Sequence, residues 1–323
     1  MDTNLLNQLH AEGIISDSSF TRAKLANEKR LFPVHWEIKT ILYLGILLLT
    51  SGLGILVYKN IDTIGHQAIL LFIASLCVGS FVYCIKNKIP FAKSRVVSPN
   101  AVFDYVLLLG CSMFIVFIAY LQYQYNVFGN RYGLATFFPM VVLFLSAYYF
   151  DHLGILSMAI TNLAAWLGLT VTPLRILEAN DFNSSRIIFT GLFLGALLIF
   201  LGWITRKRNI KRHFEFTYSN FGLHIILISC LAAMFQFMYL PWFLLLGVVV
   251  TFFYFKALKE KSFYFLLMIA LYSYIAVSYV FINFLELIGG DMGVIYLGFI
   301  YFIVSAIGLV FFLINMNKKI KAA

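Results

Sequence analysis

Residues 67–95 read QAILLFIASLCVGSFVYCIKNKIPFAKSR. From Gln67 to Ile85 no side chain is ionised, and the residues that follow include Lys86, Lys88, Lys93 and Arg95. A helix rises about 1.5 Å per residue, so this apolar run covers about 29 Å. Bilayer hydrocarbon is about 30 Å thick. An apolar run of that length ending among cations reads as a membrane span that stops in a headgroup layer.

The same pattern recurs along the chain. Ten apolar runs are expected to cross the bilayer: Ile41–Tyr58, Gln67–Ile85, Val102–Leu121, Leu134–Phe150, Gly154–Thr172, Ile187–Thr205, Tyr218–Met238, Leu240–Phe255, Phe263–Leu285 and Val294–Ile314. The eighth is short, and a re-entrant hairpin at Tyr239, Leu240 and Pro241 is an alternative. Composition agrees: of 323 residues, 62% are hydrophobic and only 12% charged, which no soluble domain of this size could solvate. The predicted class is therefore all-α, a polytopic helix bundle.

Charge placement orients the bundle. With the N-terminus inside, all of the 24 Lys and Arg residues except Lys59, Arg131, Arg175 and Arg186 fall on the cytoplasmic side. That asymmetry predicts ten spans with both termini cytoplasmic, and shifting the count by one would scramble it. The net charge of +10 thus belongs to loops facing anionic lipid, and nucleic acid is not an expected partner. The expected divisions are a cytoplasmic helical hairpin over 1–36, the bundle over 37–316 and a basic tail over 317–323.

The opening segment has no continuous apolar stretch and does not read as a secretory signal. Leu5, Leu6 and Leu9 form one helical stripe, Gly13 is a stop, and Ser16 or Asp17 can cap a second helix to about Leu31. The cations Arg22, Lys24, Lys29 and Arg30 allow this hairpin to lie on headgroups or dock a partner protein. A plain solvated segment is the third possibility.

Inside the runs we expect no ionised side chain, because one at mid-bilayer costs at least about 2.5–3.5 kcal/mol. Proton-driven transport through a buried carboxylate is accordingly not expected. Uncharged polar residues are the candidates for a polar cavity or for helix-to-helix hydrogen bonds. Asn162 lies beside a small-residue stripe of Ser157, Thr161, Ala165 and Gly168. His224 follows Asn220 by one helical turn. Tyr272, Ala276, Tyr279, Asn283 and Glu286 share one face of the ninth run, which becomes more polar toward the outer surface. Gly191 and Gly195 form a GxxxG motif, with Gly202 on the same side, suited to close helix packing.

Cys77, Cys84, Cys111 and Cys230 sit inside apolar runs without metal-ligand spacing, so neither a metal nor a cofactor is expected. HExxH, GxSxG, Walker A and dinucleotide-binding patterns are absent. A rim enzyme would have to use outer carboxylates such as Asp62, Glu178, Asp181, Glu286 and Asp291, with His66.

One stretch has a familiar order. A short leucine-containing helix leads to Gly13-Ile14-Ile15-Ser16, a charged helix follows, and then comes the glycine-bearing run LGILLLTSGLGI at 44–55. From Met1 to about Ile85 this resembles the predicted integral membrane proteins of bacteria grouped as domain-of-unknown-function family 2157. The resemblance implies a bacterial cytoplasmic (inner) membrane location and supplies no activity or catalytic residue.

Three functional readings stay open. A non-catalytic scaffold or partner subunit needs only the bilayer and a protein partner. A permease or flippase would move an apolar or amphipathic small molecule along uncharged helix faces. The third is the rim enzyme.

Overall fold

A computed structural model describes residues 35–59, 65–171, 185–289 and 292–322, with His10, Glu12, Ile15, Ser16, Asp17 and Phe20 from the opening segment. Most of the expected hairpin, and Asp62, Glu178, Asp181 and Asp291, lie outside the described residues. Within the opening segment His10 pairs with Asp17 at 2.7 Å and stacks on Phe20.

Among the described residues the chain forms ten helices and no strand. They are α1 (His35–Lys59), α2 (His66–Asn87), α3 (Ala101–Tyr125), α4 (Tyr132–Phe150), α5 (Leu153–Val171), α6 (Ser185–Arg208), α7 (Phe214–Gln236), α8 (Tyr239–Lys259), α9 (Phe263–Ile288) and α10 (Met292–Ala322). Nine of these, α2 to α10, are long and apolar enough to cross a membrane, and α1 carries a shorter apolar stretch, Thr40–Ile55. The eighth run is one continuous helix of 21 residues, enough for about 30 Å of hydrocarbon.

The chain divides into two compact units, Met1–Ile61 and Asp62–Ala323. In the first, α1 satisfies its small hydroxyls internally: Thr50 donates to Ile46 O and Ser51 to Leu47 O. In the second, consecutive helices pair as antiparallel hairpins, most extensively α2 with α3, α4 with α5, and α6 with α7. Helices α8, α9 and α10 then follow α7 in sequence, each packed on the one before, and α9 also touches α7.

Two apolar cores result, with α7 common to both. Leu107, Leu143, Ile155, Leu156, Leu198, Phe214 and Tyr218 fill the first; Leu223, Leu227, Leu246, Phe253, Phe265 and Ile269 fill the second. The membrane-spanning window of α7 is 61% buried, whereas that of α10 is not buried at all. Yet α7 has the lower mean hydropathy, 1.6 against 2.7. Helices in lipid gain nothing from hydrophobicity alone, so small residues that permit close approach select the central helix. A Cβ on Gly222 would stand 2.9 Å from Gly195 O and 2.8 Å from Ile199 Cγ1. One on Gly191 or Gly195 would collide with Ser229 or Ile226 of α7. Outward-facing Leu244, Val248, Phe299 and Phe311 give the bundle its lipid contact. The four cysteines are buried and outside any disulfide.

Candidate functional site

The polar chemistry of the second unit concentrates where α2, α4, α6 and α8 end. Residues 88–100 link α2 to α3, Asp151 and His152 link α4 to α5, and residues 209–213 link α6 to α7. Asp151 closes α4 in the left-handed conformation, φ 60°, which an aspartate tolerates better than most side chains. Lys211 is also left-handed, φ 50°.

These two residues meet. Lys211 Nζ lies 2.9 Å from Asp151 Oδ2, with side-chain exposures of 0% and 1%. Val96 N–H donates to the same carboxylate oxygen at 2.5 Å, and His213 Nε2 lies 2.6 Å from the other. Lys211 also donates from Nζ to Ser94 O at 3.2 Å and from its backbone N–H to Lys93 O at 2.8 Å. Its ammonium sits 5.0 Å from the Phe91 ring. One buried ion pair therefore clamps three connections that are far apart in the chain. Left-handed backbone at non-glycine residues costs about 1–3 kcal/mol and persists where surrounding contacts over-determine it, as they do here. Burial, reinforced by nearby Arg95 and Lys211, holds the His213 imidazole below its ordinary range, against the pull of Asp151. Lys211 already compensates the carboxylate, which weakens that pull.

Beside the clamp lies a second carboxylate. Asp104, 5% exposed, occupies the first turn of α3, behind Asn100, which caps that helix by accepting from Phe103 N–H at 2.7 Å. His152 Nδ1 accepts from Ile155 N–H at 3.2 Å, which puts the ring hydrogen on Nε2, and Nε2 lies 3.8 Å from Asp104 Oδ1. Asp104 corrects the expectation that the ten runs contain no Asp, Glu, Lys or Arg: it stands in the third of them. A carboxylate in the first turn of a helix meets the positive end of the helix dipole, so its cost there is less than at mid-bilayer.

A third group joins α6, α7 and α8. Arg206 Nη1 reaches Glu215 at 3.1 Å and Glu260 at 3.0 Å. Lys256 Nζ reaches Glu215 at 3.1 Å and donates to Ser219 Oγ at 2.7 Å. Two cations and two carboxylates balance. Beside this group and the clamp lies an open cavity of about 600 Å³ whose lining includes Lys93, Arg95, Arg206, Arg212, His213, Glu215 and Glu260.

The residues singled out in the sequence take other positions. His224 Nδ1 is 2.9 Å from Tyr272 OH and Nε2 is 2.9 Å from Tyr264 OH, which in turn donates to Asn220 Oδ1 at 2.8 Å. Both ring nitrogens are engaged, and α7 and α9 are bridged. Tyr279 packs edge-on against Phe235 at 4.6 Å and Asn283 donates to Tyr279 O. Glu286 is exposed. Asn162, Ser157 and Thr161 each donate to a carbonyl one turn back in α5. His66 contacts Tyr120 OH at 2.8 Å.

An apolar cavity of about 680 Å³ opens among α8, α9 and α10, bounded in part by Val250, Leu266, Ile269 and Phe312. Ser273 Oγ is buried there without a hydrogen-bond partner among the described residues, and Tyr274 OH meets Ser305 Oγ at 3.1 Å. Among the described residues no three His, Cys, Asp or Glu side chains gather to hold a metal ion.

Sequence reasoning missed Asp104, Asp151, Lys211 and His213. The available signal was an aspartate in a two-residue link between spans, on the side where cations predominate.

No curated protein and no solved structure matches the chain. The family model described as predicted membrane protein (DUF2157) matches residues 4–156, a stretch that runs past the opening segment and includes Asp104, Asp151 and His152. Over these residues, somewhat under half of its length, the chain is similar to that family of predicted membrane proteins.

Proposed function

We propose that this multi-pass protein is a non-catalytic component of the bacterial cytoplasmic membrane, a scaffold or partner subunit whose basic end, on the cytoplasmic side with both termini, presents a preformed docking face. The observation that carries this reading is the Asp151–Lys211 clamp. A platform for another protein gains from loops whose geometry is set before the partner arrives, because less ordering entropy is lost on binding. Here one buried pair immobilises residues 93–96, 151–152 and 209–213 together. The hairpin at 1–36 adds a second contact to the same partner in this reading.

The test is purification from native membranes in mild detergent with the complex mass measured intact. The wild type is expected to carry a stoichiometric partner, which deletion of Met1 to Phe32 weakens and Lys211→Met weakens further. A chain that runs alone in all three preparations overturns the scaffold.

The second reading, a permease or flippase for an apolar or amphipathic molecule, draws support from the cavity between α8, α9 and α10. Its position moves the expected path off the Tyr272–Tyr279–Asn283 face, which packs toward α7. Ser273→Leu, which narrows the cavity and removes its polar hydroxyl, should slow lipid scrambling in reconstituted vesicles. Unchanged scrambling, or none in the wild type, removes this alternative.

A further inference from the structure

We propose that the cavity at the basic end of α6 and α7 binds a phosphate-bearing ligand through Lys93, Arg95 and Arg212. This goes beyond the scaffold reading and stands without it. The argument begins with charge accounting. Of the ionised groups around the cavity, Arg206 is taken by Glu215 and Glu260, Lys256 by the same carboxylates, and Lys211 by Asp151. Lys93, Arg95 and Arg212 border the cavity and have no carboxylate partner among the described residues. Three cations converge on one space, with every nearby carboxylate already neutralised.

Their carriers are fixed. Lys93 and Arg95 flank Ser94, whose carbonyl accepts from Lys211, and Arg212 follows Lys211 directly. The clamp thus holds two cationic loops against each other, and an anion bound between these exposed cations would relieve their mutual repulsion. A volume of about 600 Å³ exceeds the needs of a bare counter-ion and suits a small organic molecule.

Phosphate fits better than carboxylate for two reasons. Two guanidinium forks and an ammonium match an anion with three free oxygens. The cavity also sits where the hydrocarbon-spanning parts of α6 and α7 end, the level at which headgroup phosphates lie. A lipid headgroup and a soluble phosphate ester share this chemistry. The general excess of cations on one side of a membrane protein explains the presence of such side chains, but not their convergence on a cavity.

The experiment uses the full chain in phosphatidylcholine nanodiscs titrated with inorganic phosphate, read by thermal unfolding. A parallel arm replaces part of the phosphatidylcholine with phosphatidylglycerol and counts retained lipids by native mass spectrometry. Saturable binding is expected in at least one arm: phosphate in the first identifies a soluble ester, retained phosphatidylglycerol alone identifies a headgroup. Arg95→Gln with Arg212→Gln should weaken binding by at least about tenfold. Lys207→Gln with Arg208→Gln removes the same charge from the same end of α6 but outside the cavity, and should change affinity less than about twofold. Arg212→Lys, which keeps the charge and loses the fork, should fall between them and covers the case in which the double variant fails to fold. Equal weakening by the two double variants, or no saturable binding in either arm, overturns the proposal.

Discussion

The two ends of the bundle hold their loops by opposite means. Where α3 turns into α4, one neutral side chain suffices: Gln122 donates to Asn126 Oδ1 and Gly129 O, and accepts from Phe128 N–H, all at 2.9 Å. Where α2, α4 and α6 end, a buried aspartate and lysine do the same work for three separate loops. The amide closes a turn within its own neighbourhood, at a low desolvation cost. The ion pair costs more to bury, several kcal/mol per charge in general, but its reach and its number of bonding positions let it bind segments that share no local sequence. A charged clamp also brings its neighbouring cations along, so Lys93, Arg95 and Arg212 gather at the basic end, whereas the Gln122 turn is held by neutral groups.

The largest blow to this contrast should come from Lys211→Met. It strands the Asp151 carboxylate in a dry site, and unfolding in nanodiscs should show a loss of about 3–5 kcal/mol. Adding Asp151→Asn, a residue that tolerates the left-handed backbone, should return much of that loss; strict additivity of the two substitutions would show that the pair is not the clamp. Next comes Gly222→Ala, which probes the α6–α7 contact shared by both ends. Its methyl must displace backbone at Gly195, at about 1–3 kcal/mol, while Gly247→Ala, with open space around it, should cost almost nothing.

Gln122→Ala should cost about 1–2 kcal/mol, since the three groups it strands are neutral and lie near water. A cost as large as that of Lys211→Met would erase the distinction between the ends. The smallest effect concerns pH. His213 is held below its ordinary range when folded, so the unfolded chain takes up its proton first as pH falls. Its contribution is therefore present above the unfolded value of about 6.5 and lost on acidification toward the folded one. His213→Asn should flatten that part of the stability profile; a steeper acid loss in the variant would reverse the sign.

Much of the site was hidden for a physical reason. His224, Tyr272 and Asn220 announced themselves because polar groups in an apolar run are conspicuous, and three of them do lie in one hydrogen-bonded chain. Asp151 and Lys211 sit in connecting segments, where charge is ordinary, so nothing local marks them as buried. Asp104 was overlooked because a single carboxylate near the start of a long apolar run hardly changes its hydropathy.

From the sequence alone come the helices and the basic segments that end them, because hydropathy and charge are properties of short stretches and the bilayer acts on each stretch separately. Only the folded bundle decides that α7 is central and α10 peripheral, that Asp151 finds Lys211 sixty positions later, and that three cations surround a space. Those outcomes depend on which helix faces can approach closely, a matter of shape between distant segments that no local sum of transfer energies contains.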